Sequence, residues 1–294
     1  MQRTFKFVVN PVAGPGNNLS YWRSLKKVLL QNGIEFKSKI TKREGHATRW
    51  AAKRVKKDTD SVIVSVGGDG TFNEVASVLV NSPLQIAHIP RGSGNGLARM
   101  LHIPSKIKKI PAYLKEGQPV SIDAGSFNGH FFFCTAGFGF DALIAHQFRT
   151  SKRRGFKSYI FYILRAFFSY RGVEAKFTLD GEPVSGKFFI VTIANANQYG
   201  NNAFIAPKAD LQDGLFDVTI IRPFSKWMMP VVVLALFGKR IHKLPFVEYR
   251  RAKEMEVQSV SAPYFHRDGE AAEYDLPVSA RILPGALQIL VNKK

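Results

Sequence analysis

Apolar and polar positions follow two different rhythms along the chain. Over the first 120 residues, strand-like runs take turns with stretches of helical spacing. Thr4 to Val9 reads as a strand that stops at Asn10-Pro11, and the stretch after it, 19–31, places Trp22, Leu25, Val28 and Leu29 on one helical face. The same reading predicts strands over 34–40, 61–66 and 84–89, and helices over 46–57 and 71–80. Strands and helices alternating through short connections imply a parallel sheet covered by helices, whose ligand sites lie at the carboxyl ends of the strands. Beyond Asp123 the runs lengthen, and Asn128-Gly129 and Asp180-Gly181 signal hairpins, so a second, β-rich domain is expected. Two helical stretches interrupt it: 158–170, apolar nearly all round and preceded by Lys152-Arg153-Arg154, and 227–237, followed by Lys239, Arg240 and Lys243. The first, with aromatics beside its basic cluster, reads either as a helix packed on the sandwich or, by preference, as a membrane-facing element; the second is a similar candidate but reads rather as core.

Composition agrees with two folded domains. At 294 residues and 45% hydrophobic, the chain has ample apolar surface to order itself. Charge adds something the pattern does not show: 42 Lys and Arg against 22 Asp and Glu leave +20, a field suited to polyanions or an anionic bilayer. Residues 1–122 hold 20 basic and 7 acidic groups, residues 123–294 hold 22 and 15, so the excess is not a tail. One cysteine, Cys134, excludes an intramolecular disulfide and reads as a small buried hydrophobe. Residues 1–10 lack the pattern of a signal peptide, and the longest apolar stretch, 227–237, is interrupted by Pro230 and too short to span a bilayer. The expectation is a cytoplasmic protein that touches a membrane without crossing it.

The sharpest chemical signal is Gly67-Gly68-Asp69-Gly70-Thr71, which links a strand to a helix. Glycines let backbone N–H groups approach a ligand closely, and the helix N-terminus favours an anion, so the turn suits phosphate. Asp69 fits beside phosphates if it holds Mg²⁺ or accepts a proton during phosphoryl transfer. Two more small-residue loops follow corresponding strands: the stretch Asn10-Pro11-Val12-Ala13-Gly14 and onward to 17, and Pro90-Arg91-Gly92-Ser93-Gly94-Asn95-Gly96. Three such loops on one sheet edge are what a nucleotide's phosphates and sugar require. Neither a Walker A loop nor a dinucleotide fingerprint is present.

These three segments, in this order and spacing, resemble the catalytic domain shared by diacylglycerol kinases, sphingosine kinases and their bacterial lipid-kinase relatives. Ile122-Asp123, the stretch 195–218 and Asp268-Gly269-Glu270 resemble that family's later motifs, so the likeness covers nearly the whole chain. It implies α/β plus all-β architecture: an ATP-binding α/β domain with a parallel sheet over 1–123, completed by a C-terminal strand over 286–292, and an antiparallel β-sandwich over 124–285 for the lipid. It implies transfer of a phosphoryl group from ATP to a lipid hydroxyl, with Mg²⁺ and with ATP in the cleft between the domains. Asn10, Pro11, Val12, Ala13, Gly14, Thr41, Gly67, Gly68, Asp69, Gly70, Thr71, Phe72, Asn73, Ser93 and Glu270 would bind nucleotide. Asp268 would take the lipid hydroxyl's proton, and Asp69 would work with Mg²⁺, although in the sphingosine-kinase branch that aspartate is itself a candidate base. Asp123 and Asn95 would belong to the substrate or metal network, and a structural Mg²⁺ would fall on Asp213 with the carbonyls of Asp210 and Leu215. The third loop departs from the bacterial pattern, carrying Gly96 after Asn95 where an aspartate is usual, which makes it resemble the sphingosine-kinase form.

The chemistry alone leaves Asp123 and Asp268 as alternative bases. Diacylglycerol is the first acceptor and a sphingoid base or other lipid alcohol the second; a soluble acceptor, as in NAD kinases, and a non-catalytic nucleotide- or membrane-binding regulator are the rivals. Partners expected are ATP, a lipid and the anionic inner face of the membrane, with a homodimer left open and nucleic acid set aside for want of a motif. His266-Arg267-Asp268 copies a protein-kinase triplet by coincidence, since Glu273 stands where that motif needs Asn. His46, His88 and His102 read as helix-surface or core-edge residues.

Overall fold

A computed structural model describes residues 3–14, 18–56, 60–150, 156–262 and 264–292, with the side chains of 150 and 156–162 outside that description; the Lys152 to Arg154 cluster therefore lies outside the described residues. The chain forms two compact units, Met1–Ala124 with Gly285–Lys294, and Gly125–Pro284.

The first unit carries β1 (Thr4–Val9), α1 (Asn18–Gln31), β2 (Phe36–Ile40), α2 (His46–Val55), β3 (Ser61–Gly67), α3 (Asp69–Leu79), β4 (Gln85–Pro90), α4 (Gly96–Met100), α5 (Ile110–Glu116) and most of β5 (Gln118–Phe127). Its strands pair in parallel in the order β2-β1-β3-β4. Every residue of β3 is buried, as expected of a strand with helices on both faces. β2 is the edge and turns Lys37 and Lys39 to solvent, which discourages further pairing. Helix α1 buries Trp22, Leu25 and Leu29 at helical spacing, with Trp22 against Phe7 and Phe36 at 5.2 and 5.7 Å between centroids. Strand β2 starts two residues later than its pattern predicts, because α1 closes at Gly33 (φ +66°) and Ile34 packs in the connection. The second half of β16 (Val278–Val291) lies parallel to β4 through Gln288 and Ile289. Buried Tyr113 of α5 spans these two strands: its hydroxyl accepts the His88 N–H and donates to the Leu290 carbonyl.

Contrary to its core-edge reading, His88 is fully buried. Its Nδ1 sits 2.8 Å from Ser65 Oγ on the neighbouring strand, and burial pulls its pKa down to about 4.

The second unit contains β6 (His130–Phe132), β7 (Thr135–Gly139), α6 (Phe140–Thr150), α7 (Phe156–Ser169), β8 (Val173–Leu179), β9 (Glu182–Phe188), β10 (Ile190–Ala194), β11 (Phe216–Ile221), α8 (Met229–Phe237), β12 (Val247–Ala252), β13 (Glu254–Val260), β14 (Tyr264–Arg267), β15 (Glu270–Glu273) and the first half of β16. Six strands form an antiparallel sheet in the order β12-β11-β10-β7-β14-β15. It faces a second antiparallel layer of β16, β13, β8 and β9, and Phe138, Phe216 and Phe265 meet Phe177, Met255 and Val257 between them. The strict alternation of β8, buried at Val173, Ala175, Phe177 and Leu179, is the signature of such a sandwich. The other face of the six-stranded sheet is covered by helices, so β10 and β11 are buried throughout. Mostly parallel α/β followed by antiparallel β is the fold class the sequence predicts.

A further expectation fails. Residues 227–237, read as core, are surface: of α8 only Ala235 is buried, and Trp227 is 92% exposed. Apolar character on every side of a helix marks burial in general, but here the sheet accommodates only one side of α8. Among the described residues, no helix is long and apolar enough to cross a membrane.

Candidate functional site

In the first unit the three small-residue loops converge at the carboxyl ends of β1, β3 and β4. Asn10 ends β1 with its N–H on the Val66 carbonyl, and its side chain donates to Thr71 Oγ1 (2.9 Å) while accepting the Val12 N–H. Its carbonyl accepts from buried Asn18, whose Oδ1 takes the Arg91 Nε–H at 3.2 Å. The Arg91 N–H closes the ring on the Gly67 carbonyl (2.6 Å), and its guanidinium lies 4.1 Å from the Tyr21 ring. Loop one is thereby tied to loops two and three.

Glycine at the contact points is a steric requirement. Gly14 has φ +80°, and a Cβ there would run into the Arg91 carbonyl oxygen. A Cβ on Gly92 would come 2.7 Å from Gly68 Cα and 2.8 Å from Asn95 Oδ1. The backbones of the second and third loops therefore pass without side chains between them, leaving a cradle lined by peptide groups at the N-terminus of α3.

Asp69 opens α3, two residues before the predicted start, and its Oδ2 accepts the Asn95 N–H at 2.8 Å. Asn95, itself at φ +51°, uses its amide within its own loop, accepting from Gly92 N–H and donating to Gly92 carbonyl. Its visible work is to shape the loop and to present its N–H to Asp69. Pro11, Val12, Ala13, Gly70 and Ser93 lie on the same loops; Thr41, just past β2, is buried with its N–H on the Val9 carbonyl. Phe72 is buried against His88 at 5.1 Å, and Asn73 accepts from Ser77. Asp123 is buried on β5, and its Oδ1 accepts the Gly285 N–H at 2.7 Å. Glu74 escapes a sequence reading: its Oε2 accepts the Ala47 and Thr48 N–H groups, capping α2 from the neighbouring helix.

In the second unit Asp268 and Gly269 are the two central residues of the β14–β15 hairpin, at φ +49° and +79°, the left-handed pair that a tight two-residue turn demands. The Asp268 N–H donates to the Thr135 carbonyl, and its carboxylate accepts the N–H groups of Phe133, Cys134 (2.7 Å) and Thr135. Asn195 clasps the same corner, donating to the Phe133 carbonyl. Glu270 follows in β15 and is exposed. Cys134 is buried, as a small hydrophobe should be.

Beside this corner lies a cluster that sequence reasoning misses. Asp141 Oδ2 accepts from Tyr199 (2.7 Å) and Thr192 (2.8 Å) and lies 2.9 Å from His266 Nε2. Burial pushes the Asp141 carboxyl upward, but His266 and the two hydroxyl donors outweigh it and hold the group below the usual carboxylate range. The only local signal is Gly137-Phe138-Gly139-Phe140-Asp141, an aspartate opening a helix after a glycine-spaced strand; its three partners come from distant segments.

The residues implied for a structural cation form a turn of their own. Asp210 accepts the Gln212 N–H, Asp213 accepts the Leu215 N–H, and Gly214 has φ +69°. Arg251 stands 3.5 Å from Asp213 Oδ2 and 3.6 Å from Asp217 Oδ1. Asp217 is fully buried, and burial raises its pKa against the lowering effects of Tyr249 and Arg251. The donors are hard oxygens, the kind Mg²⁺ takes, with a guanidinium already sharing their charge. Among the described residues, no three His, Cys, Asp or Glu side chains gather at one point. A Mg²⁺ beside Asp69 would therefore draw on one carboxylate and on phosphate oxygens, which is how Mg²⁺ is commonly bound at nucleotide sites.

Comparison with known proteins follows the same division. Residues 4–127 match the diacylglycerol kinase catalytic domain, and residues 134–291 match the YegS C-terminal NAD kinase beta sandwich-like domain. A diacylglycerol kinase of Staphylococcus carnosus is 27% identical over 92% of this chain and 89% of its own length; one of Mycobacterium tuberculosis is 28% identical over 96% and 93%. An uncharacterised protein of Synechocystis is 30% identical over 98% of this chain and 70% of its own. In fold, the chain is similar to a diacylglycerol kinase from Bacillus anthracis, with TM-score 0.72 at 19% identity over 99% of this chain and 97% of that one. With both of its units matched in order over nearly their full length, the chain belongs to the diacylglycerol kinase family, as a catalytic domain followed by a YegS-type C-terminal domain.

Proposed function

We propose that the protein transfers the γ-phosphoryl group of ATP to the free hydroxyl of diacylglycerol, yielding phosphatidic acid and ADP, at the cytoplasmic face of a membrane. The observation that carries this reading is the side-chain-free cradle where Gly14, Gly68 and Gly92 meet at the start of α3. Its peptide N–H groups and the helix N-terminus hold the phosphates. Asp69 is the residue that would hold Mg²⁺, which would supply charge neutralisation at the phosphates. The nucleotide set is the loop residues from Asn10 to Gly14, Thr41, the turn from Gly67 to Asn73, Ser93 and Glu270.

Asp268 is the group assigned to the acceptor. The lipid hydroxyl oxygen attacks Pγ, the bond from Pγ to the β,γ-bridging oxygen breaks, and the hydroxyl proton passes to the Asp268 carboxylate. Orientation is its first contribution, because a loose transition state needs the hydroxyl positioned more than it needs early deprotonation. The three N–H groups from 133–135 support that task, since they fix the carboxylate on a rigid hairpin. Asp123 is the less suitable base, being buried with its carboxylate on the Gly285 N–H. Its place and that of Asn95 in the network are to brace the strand ends and third loop. A structural Mg²⁺ on Asp213 with the carbonyls of Asp210 and Leu215 would brace that turn.

A sphingoid base is the second acceptor, favoured by the third loop, where Asn95-Gly96 bonds back on Gly92 and offers no second carboxylate. The test is purified protein with Mg²⁺, labelled ATP and a panel of diacylglycerol, sphingosine and water-soluble alcohols, with and without mixed micelles. Diacylglycerol in micelles should take label fastest; full activity on a soluble alcohol without a lipid surface would overturn the reading.

A further inference from the structure

The net positive charge of residues 123–294 comes from two stretches. Residues 142–173 and 218–247 hold 12 Lys and Arg and no Asp or Glu, whereas the rest of residues 123–294 holds 10 basic against 15 acidic groups. These stretches include α7, the turn before α8 and α8 itself, which carry most of the large exposed apolar side chains among the described residues of this unit. Trp227 is 92% exposed, Leu234 73% and Phe168 65%, with Leu164, Val231 and Phe237 also open to solvent. The end of α7 meets the segment that leads into α8: Lys226 Nζ lies 6.0 Å from the Phe168 ring, and Phe167 packs on Phe224. Exposed Lys226, Arg240, Lys243, Arg165 and Arg171 flank the ridge in sequence.

We infer that this ridge, made by 226–237 and the end of α7, is the face on which the protein docks to an anionic bilayer. The inference rests on the proposed reading that the acceptor is a lipid. Apolar side chains enter the interfacial zone while the surrounding cations meet lipid phosphates, a pairing that neither a neutral partner nor a protein core explains. A second copy of this chain is disfavoured, because it would set the acid-free, basic borders against each other. The ridge also connects to the chemistry within its unit. The Leu236 carbonyl accepts the Phe204 N–H, and the loop leading to Phe204 carries Tyr199, a donor to Asp141.

The test separates docking from catalysis. Wild type and the variants Trp227→Ser/Leu234→Ser and Lys226→Glu/Arg240→Glu are sedimented with phosphatidylglycerol–phosphatidylcholine vesicles lacking diacylglycerol and ATP. Circular dichroism and Tm serve as folding controls. Wild type should bind, less so as salt rises, and each double variant should lose about tenfold or more in partitioning, at about fivefold per cation. Turnover of a monomeric short-chain diacylglycerol should be unchanged in both variants. Vesicle binding equal to wild type in folded variants overturns the inference; so does a wild-type dimer that the Trp227→Ser/Leu234→Ser change dissociates without affecting vesicle binding. Ridge-dependent binding by a protein that phosphorylates no lipid upholds the surface and removes the lipid-kinase reading instead.

Discussion

Gly92 shows how little freedom the cradle proposed for phosphate has. A methyl group there meets the Gly68 Cα at 2.7 Å and the Asn95 side-chain Oδ1 at 2.8 Å, in loops already pinned by the Arg91 N–H on Gly67, the Asn95 N–H on Asp69 and the Gly92 N–H on that same Oδ1. Relief has to come from moving one loop away from the other, which displaces the N–H groups that would face phosphate. Gly92→Ala should therefore weaken ATP binding about tenfold or more, roughly 1.4 kcal/mol, while thermal unfolding shifts by only a few degrees. Calorimetric titration with ATP checks it, and wild-type affinity would show that the cradle is not where phosphate sits. Asp268 meets two demands at once: its left-handed backbone makes the hairpin, and its carboxylate takes up the amides of 133–135. Asp268-Gly269 is thus also a turn signal of the kind that Asn128-Gly129 and Asp180-Gly181 carry.

The buried pairing of β3 with β4 predicts how stability depends on pH. His88 is held neutral inside the sheet, its pKa drawn from an ordinary 6.5 to about 4 chiefly by burial. Between those values the unfolded chain takes up a proton that the native protein refuses. Stability is thus full above about pH 6.5 and falls as pH drops toward 4, by about 2 to 3 kcal/mol for this group. Urea unfolding at about pH 7 and about pH 4.5 should show that loss in wild type and a correspondingly smaller loss in His88→Asn; equal losses would assign the acid sensitivity elsewhere. Elements of this kind were legible in sequence because period and punctuation are local: the β1–α1 unit stands close to where its pattern places it, and Asp180-Gly181 turns β8 into β9, although β9 begins at Glu182 rather than at 187. The exposure of α8 was not legible, since an all-apolar helix reads the same whether a sheet covers one side or all of it. Glu74 and the Asp141 cluster were hidden for a different reason, their partners being 26 to 125 residues away in sequence.

For the molecule as a whole, the two matched domains divide the labour. In the proposed reaction one would supply a backbone cradle for phosphates and Asp69 to hold Mg²⁺, and the other the Asp268 carboxylate fixed on its hairpin and a basic, apolar surface. The charge of +20 that first suggested any polyanion resolves into a basic catalytic domain and two acid-free stretches of the second. The resemblance seen in three glycine loops was sufficient for the family. What the chain does with its acceptor depends on side chains gathered from distant segments, and there chemistry must be measured. The most direct measurement is the rate at which label passes from γ-labelled ATP to diacylglycerol in mixed micelles with Mg²⁺, for wild type and Asp268→Asn, at matched ATP occupancy. The account predicts labelled phosphatidic acid from wild type and a loss of at least about a hundredfold in Asp268→Asn with ATP affinity retained. Label appearing only as inorganic phosphate, or an Asp268→Asn rate close to wild type, would contradict it.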